Sequence, residues 1–207
     1  MTREDIYYVN EYDEPTGEVC EKYAAHHGRT KLHAAFSVYV FNELGQLLVT
    51  QRAFSKKVWP EVWTNTCCGH PRPNESREQA IARRMKYELG AEVEDIVVVL
   101  PDYKYKTPPY KGIIEHEYCP VYFARIAGDL KPNKSEVEAY QWMEWKDFLL
   151  ATEQDDATDA ARREWMIKVP VGDYRYLGIW SWWCKDQSKK LRMIPEVSKY
   201  ISKSILF

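Results

Sequence analysis

One stretch, GHPRPNESREQAIARRMKYELGA at residues 69–91, limits the architecture of this chain more than any other. Ser76 is followed three residues later by Gln79, the spacing of a helix-opening capping box. Ile81, Met85 and Leu89 recur every four residues and form an apolar stripe, and Gly90 supplies a helix stop. The pattern predicts an amphipathic helix over 75–89 that must bury its stripe on an apolar surface. The rest of the chain offers that surface as strands. AAFSVYVFNELGQLLVTQR reads as two strands joined by a short turn at 42–45. Residues 96–100 are a β-branched run, expected as a buried strand. EHEYCPVYFAR at 115–125 is another strand, in which Pro120 implies an edge or a bulge. A short strand is expected at 140–145, with a helix starting over 146–150. Residues 58–73 hold three prolines and no clean period, so they read as loop. The acidic run 153–159 reads as solvated, 160–168 as helix, and the last twenty residues as ending in a helix. The Trp-, Tyr- and Gly-rich stretch 169–185 fits no single pattern. Strands and helices alternate without a regular βαβ rhythm or an internal repeat, which predicts an α/β (α+β) fold, a mixed β-sheet sandwich flanked by helices.

With 207 residues the chain is long enough for one domain over 1–207, with an aromatic C-terminal extension from about 151. Its net charge of −2 excludes a whole-surface field for nucleic acid, so an anionic ligand needs a local basic cluster. No apolar run reaches the ~18 residues of a membrane span. The opening MTREDIYYVNEYDEP lacks a basic-then-apolar signal, and the five cysteines are odd in number and mostly scattered. Together these predict a mature, cytoplasmic protein with reduced thiols.

Three groups of residues carry possible chemistry. Cys67 and Cys68 stand next to Gly69-His70. Adjacent cysteines rarely pair with each other, and no second C-x-x-C completes a zinc knuckle. That leaves packing, the commonest fate of a free thiol, or proton transfer beside an imidazole. His26, His33, His70, Glu115 and Glu117 form a mixed N/O set that suits Mn²⁺, Mg²⁺ or Zn²⁺ better than a sulfur-rich tetrahedron does. Glu115 and Glu117, two apart on a strand, share a face, while His116 points the other way. Spacing alone does not make the set converge, and scattered polar residues with one satisfied core histidine are the commoner outcome; His27 belongs with that outcome. Lys22, Arg52, Lys56, Lys57 and Arg84 could clamp a diphosphate as a group, although singly each reads as a surface charge.

The stretch 69–91 fits the frame of the Nudix box, G-x5-E-x7-R-E-U-x-E-E-x-G-U with U apolar. Gly69, Glu75, Arg83, Met85, Glu88 and Gly90 fall in register. Arg84 and Tyr87 stand where the box has glutamates, which weakens a multi-metal hydrolytic site. With EKYAAH ending at His26, LHAAFS from Leu32, WTNTCCGHPR from Trp63 and EHEYCPVYFAR from Glu115, the first 150 or so residues resemble the type 1 isopentenyl diphosphate isomerases of the Nudix superfold.

The resemblance implies an isomerase that interconverts isopentenyl and dimethylallyl diphosphate through a carbocation. It implies a divalent ion (Mn²⁺, Zn²⁺ or Mg²⁺) on His26, His33, His70, Glu115 and Glu117, and Mg²⁺ at the diphosphate, held partly by Glu88. Cys68 would be the thiol acid, Glu117 the opposing acid/base, Tyr105 its assistant, and Trp180, or else Trp182 or Trp183, the ring over the reacting carbons. Lys22, Arg52, Lys56 and Arg84 would contact the diphosphate. The implied partner is this small diphosphate, with no nucleic acid or membrane, in a monomer or homodimer. Two alternatives are a Nudix hydrolase of a nucleoside diphosphate derivative and a non-catalytic Nudix-like binding module.

Overall fold

A computed structural model of the chain describes residues 4–26, 30–109, 112–154 and 179–201. The expected helix at 160–168, most of the acidic run and the chain end lie outside these residues. Two sheets carry the fold. In the first, β2 (Pro15–Glu21), β1 (Asp5–Val9), β3 (His33–Ala34), β10 (His116–Tyr118) and β9 (Lys104–Lys106) lie in that order. In the second the order is β12 (Val137–Met143), β5 (Leu47–Arg52), β4 (Phe36–Phe41), β11 (Val121–Ala127) and β8 (Glu92–Leu100). The pairs β3–β10 and β4–β11 are parallel and the others antiparallel, so the sheets are mixed as expected.

Strands β3 and β4 follow one path through both sheets and β10 and β11 a second beside it, and both paths break at the same level. The break falls at Ala35 on one path and at Cys119-Pro120 on the other, where Ala35 N–H donates to Tyr118 O at 2.9 Å and Ser37 N–H to Pro120 O at 3.1 Å. The expected single strand 115–125 is therefore two strands, and Pro120, lacking an N–H, marks where the chain changes sheets. Histidines and glutamates of the first sheet thus stand directly beside the start of the second.

Strand β4 is buried along its whole length because both faces are covered. Phe36, Val38 and Val40 pack with Ala80, Ile81, Met85 and Leu89 of α2 (Arg77–Leu89). Tyr39 and Phe41 face Phe148 of α3 (Trp145–Gln154) and Trp183 and Leu191 of α4 (Trp182–Leu191). Helix α2 opens with the Ser76/Gln79 capping box and closes on Gly90 in the left-handed conformation, φ 66°. Strand β8, expected to be buried, is an edge strand with Val97 and Val98 exposed. Its β-branched run satisfies a strand's backbone preference without requiring cover.

Residues 58–73 depart furthest from expectation. Strands β4 and β5 pair only at Phe41↔Leu47 and then splay apart. The fork is filled by β6 (Trp63–Thr64), which pairs with β5, and β7 (Cys67–Gly69), which pairs with β4. Thr66 completes the wedge: its hydroxyl accepts from Val40 N–H at 2.8 Å and donates to Leu48 O at 2.6 Å. These side-chain bonds replace ladder bonds that the splayed strands cannot make.

At the end of α2, Lys131 N–H donates to Leu89 O at 2.7 Å and Asn133 N–H to Glu88 O at 2.9 Å, tying the 130–133 loop to the helix. A Cβ on Gly90 would lie 2.7 Å from Lys131 O at a positive φ. Gly90→Ala should therefore cost about 1–3 kcal/mol, read as a lowered urea midpoint with unchanged slope. An unshifted midpoint would contradict this account of the helix end.

Candidate active site

The five expected ligands come from separate elements and meet. His26 caps the C-terminus of α1 (Lys22–Ala25), His33 lies on β3, His70 follows β7, Glu115 precedes β10 and Glu117 lies on it. All five are buried, and one ligand atom from each lies within 4.8 Å of the others. The imidazoles stand 5.1–5.5 Å apart, centroid to centroid. His26 Nδ1 faces Lys22 O at 2.5 Å and His33 Nδ1 faces Lys31 O at 3.0 Å. Those contacts orient both rings so that their Nε2 atoms point inward. Glu115 Oε2 is 2.8 Å from His26 Nε2, and Glu117 Oε1 is 2.9 Å from His70 Nε2 and 3.7 Å from His33 Nε2. His116 points away and its Nδ1 meets Thr30 O at 3.0 Å.

The electrostatics of the cluster fit a cation. Burial drives the His70 imidazole down to about 4, which keeps it neutral. Burial raises the Glu117 carboxyl, but the neighbouring His33 and His70 imidazoles outweigh it and hold the group well below the usual range. Burial lowers His26, yet Glu115 reverses the shift and leaves it above the ordinary value. His33 Nε2 is buried with no hydrogen-bond partner among the described residues. Two inward carboxylates, three converging imidazoles and an unpartnered ring nitrogen describe a site that could hold a divalent ion.

The cluster forms one wall of a cavity. Cys68, Tyr105, Glu117 and Trp183 line it, and so do Lys22, Arg52, Lys56, Lys57, Arg84 and Glu88. Tyr105 donates to Glu117 Oε2 at 2.7 Å and stacks on Trp182 and Trp183, 5.7 and 6.4 Å between centroids. Burial pushes the Tyr105 phenol well above its ordinary value, so the proton stays on oxygen. Burial likewise pushes the Cys68 thiol up to about 12 and makes it an acid in reserve at neutral pH. Its sulfur lies 3.1 Å from Asn65 Oδ1 and 3.3 Å from Ser37 Oγ. Cys67 points the other way, into the α2 cluster, with its sulfur 3.4 Å from Glu88 Oε1.

Trp180, expected over the reacting carbons, is not among the residues lining the cavity. It bridges to Trp63 and packs edge-on against Phe148, 5.5 Å between centroids, in the α3–α4 core. Ser181 caps α4, and the turn that follows carries Trp183 to the cavity, where the Arg52 guanidinium lies 6.0 Å from its ring.

The basic groups are held in advance. Lys22 pairs with Glu4 at 3.0 Å, Arg84 with Glu88 at 2.6 Å and Glu136 at 3.3 Å, and Lys56 with Glu136. Arg52 donates to Trp59 O at 2.9 Å and Val58 O at 2.8 Å. Burial raises the Glu88 carboxyl, but Arg84 and Lys56 outweigh it and keep it ionised. Arg83 of the box bonds Glu75 at 2.6 Å and His70 O at 3.1 Å, so the motif braces the histidine loop. Glu4 and Glu136 escaped the sequence reading because no motif contains them and their partners lie 18 and 80 residues away.

Mixed sheets around a capped helix, with a glycine and glutamate frame on that helix, define a NUDIX domain, and the family model for that domain matches residues 31–166. A crystal structure from Deinococcus radiodurans shares the fold at 20% identity, with a TM-score of 0.53 over 70% of this chain and 86% of that one. Curated proteins named isopentenyl-diphosphate Delta-isomerase are much nearer in sequence. The one from Klebsiella pneumoniae is 47% identical over 167 residues, 81% of this chain and 89% of that protein. The one from Salmonella paratyphi B is 47% identical over 171 residues, covering 81% and 90%. The chain belongs to the isopentenyl-diphosphate Delta-isomerase family of NUDIX-domain proteins. No helix among the described residues is long and apolar enough to cross a membrane.

Chelation tests the cluster. Ion binding at a hundredfold excess over its Kd would stabilise the fold by about 2.7 kcal/mol, so removal of divalent ions should lower the melting temperature and Mn²⁺ or Zn²⁺ should restore it. In His33→Ala this ion dependence should vanish. A melting temperature indifferent to chelator would contradict the reading of these residues as an ion site.

Proposed function

We propose that this chain interconverts isopentenyl diphosphate and dimethylallyl diphosphate by adding a proton to one alkene carbon and removing one from another. The observation that carries the proposal is that a half-buried thiol and a buried carboxylate, Cys68 and Glu117, line the same cavity as a pre-set basic clamp. Protonating an alkene is the hard step, because alkenes are weak bases. The Cys68 thiol gives its proton to the terminal CH₂ carbon and becomes a thiolate, leaving a tertiary carbocation in the substrate. The Glu117 carboxylate takes a proton from the neighbouring CH₂ and the double bond re-forms one position along. The substrate gains one proton and loses one, and the enzyme resets by exchange with water.

The remaining residues manage the cation and the anion. Tyr105, donating to Glu117 Oε2, orients the carboxylate. Trp183 offers a π face to the positive charge, an attraction worth about 2 kcal/mol or more when desolvated. Lys22, Arg52, Lys56 and Arg84 anchor the diphosphate so that the reacting carbons stay in place. A divalent ion on His26, His33, His70, Glu115 and Glu117 would order the Glu117 carboxylate and tune its basicity. Glu88 would share Mg²⁺ with the diphosphate. Arg84 and Tyr87, standing where the hydrolase box has acids, favour anchoring over phosphoryl transfer. We place the protein in the cytoplasm, acting as a monomer or homodimer, with 1–207 as one domain that carries an aromatic C-terminal extension from about 151.

The test is incubation with isopentenyl diphosphate and Mg²⁺ in D₂O. Deuterium should enter recovered substrate and product with no phosphate released, whereas phosphate or a nucleoside monophosphate from other substrates would support hydrolysis instead. Cys68→Ala should lose about 10³-fold or more in turnover, and Cys67→Ala should retain most of it. The reverse order would show that the thiol has been misassigned.

A further inference from the structure

The buried polar groups around the Cys68 sulfur are more ordered than packing requires. Their donors and acceptors can be assigned one by one. Asn65 spends both Nδ2 hydrogens, on Val38 O at 3.0 Å and Cys67 O at 3.1 Å. Its Oδ1 is therefore turned to the sulfur and can only accept. Thr64 Oγ1 donates to the same Oδ1 at 2.9 Å and itself accepts from Trp183 Nε1 at 3.1 Å. Asn65 thus serves Cys68 only while the sulfur carries its hydrogen.

Ser37 serves the other state. Tyr39 O–H donates to Gln187 Oε1 at 2.9 Å, which fixes the amide so that Gln187 Nε2 donates to Ser37 Oγ at 2.9 Å. The second lone pair of that oxygen faces the Cys119 thiol at 3.4 Å, a weak donor. The Ser37 hydrogen is then directed to Cys68 Sγ at 3.3 Å. Tyr39, Ser37 and Gln187 are all fully buried, so no solvent competes along this chain.

We propose that Ser37 is a positioning residue for the Cys68 thiol, its hydroxyl held as a donor to the sulfur by Gln187 of α4. The inference rests on the proposed isomerisation and deepens it. As Cys68 passes its proton to the alkene, negative charge grows on sulfur, the bond to Asn65 Oδ1 is lost and the bond from Ser37 strengthens. No proton leaves Ser37. A donor fixed before the charge appears costs no reorganisation when it does. Residues 182–191 thereby take part in the chemistry although they lie beyond the matched NUDIX segment.

The experiment measures kcat and KM for isopentenyl diphosphate in the full chain, with melting curves for each variant. Ser37→Ala should lower kcat at least about tenfold with KM within about threefold, and Ser37→Thr, which keeps the hydroxyl, should recover most of the loss. Gln187→Met, which keeps the shape and removes the donor, should lower kcat several-fold with KM unchanged. The double variant Ser37→Ala/Gln187→Met should be no slower than Ser37→Ala alone, because Gln187 acts through Ser37. If Ser37→Ala does not fold, Gln187→Met decides by the same kcat-against-KM split. The inference falls if kcat is unchanged, if the loss appears in KM, or if the two losses multiply. Wild-type protein that isomerises alongside unimpaired variants sinks this inference alone, and wild-type protein that turns nothing over sinks both readings.

Discussion

Two carboxylates packed among three imidazoles in a closed interior form the constraint on which the rest of the structure depends. An ion moved into a protein interior costs several kcal/mol even after relaxation. A fold that buries Glu115 and Glu117 together must compensate each of them in place. The close contact of His26 with Glu115 and hydrogen bonds from His70 and Tyr105 to Glu117 supply part of that. The five residues come from β3, β10 and the residue before it, the end of α1 and the loop after β7, so compensation is possible only when both sheets are assembled. The breaks at Ala35 and Pro120 matter for this reason: they bring the first sheet's polar groups to the lip of the second sheet's apolar core.

The same arrangement separates three kinds of chemistry within one cavity. The cluster presents a carboxylate kept ionised by its neighbours. The wedge between β4 and β5 presents a thiol kept protonated by burial. The mouth presents cations already tied to Glu4, Glu88, Glu136 and backbone carbonyls. Cations held in this way lose little side-chain freedom when an anionic ligand arrives. In the proposed isomerisation, base, acid and anchor are each fixed before substrate enters, which reaction through a short-lived carbocation demands.

What the sequence disclosed follows from how local each signal is. Helix α2 was legible because its cap, stripe and stop all lie within fifteen or so residues and obey one period. Strands β4 and β5 were legible for the same reason. The wedge at 63–69 was not, because its hydrogen bonds run from Thr66 to Val40 and Leu48 and its register depends on strands that splay. A β-branched run marked β8 as a strand but could not tell an edge from a centre. The ligand set was legible as residue types and as a family resemblance, whereas its convergence needed the crossing of two sheets. Among the tryptophans of WSWW, composition could not choose. The choice turned on Ser181 capping α4, which sends Trp183 to the cavity and leaves Trp180 in the core.

The central claim is that the imidazole–carboxylate cluster takes an ion while the neighbouring sulfur stays out of its coordination. Anomalous diffraction from crystals grown with Mn²⁺ or Zn²⁺ tests this most directly. The account predicts one strong peak at roughly 2.0–2.2 Å from nitrogens of His26, His33 and His70 and oxygens of Glu115 and Glu117, with Cys68 Sγ beyond bonding distance. No peak among these five residues, or a peak bonded to the Cys68 sulfur, would contradict it.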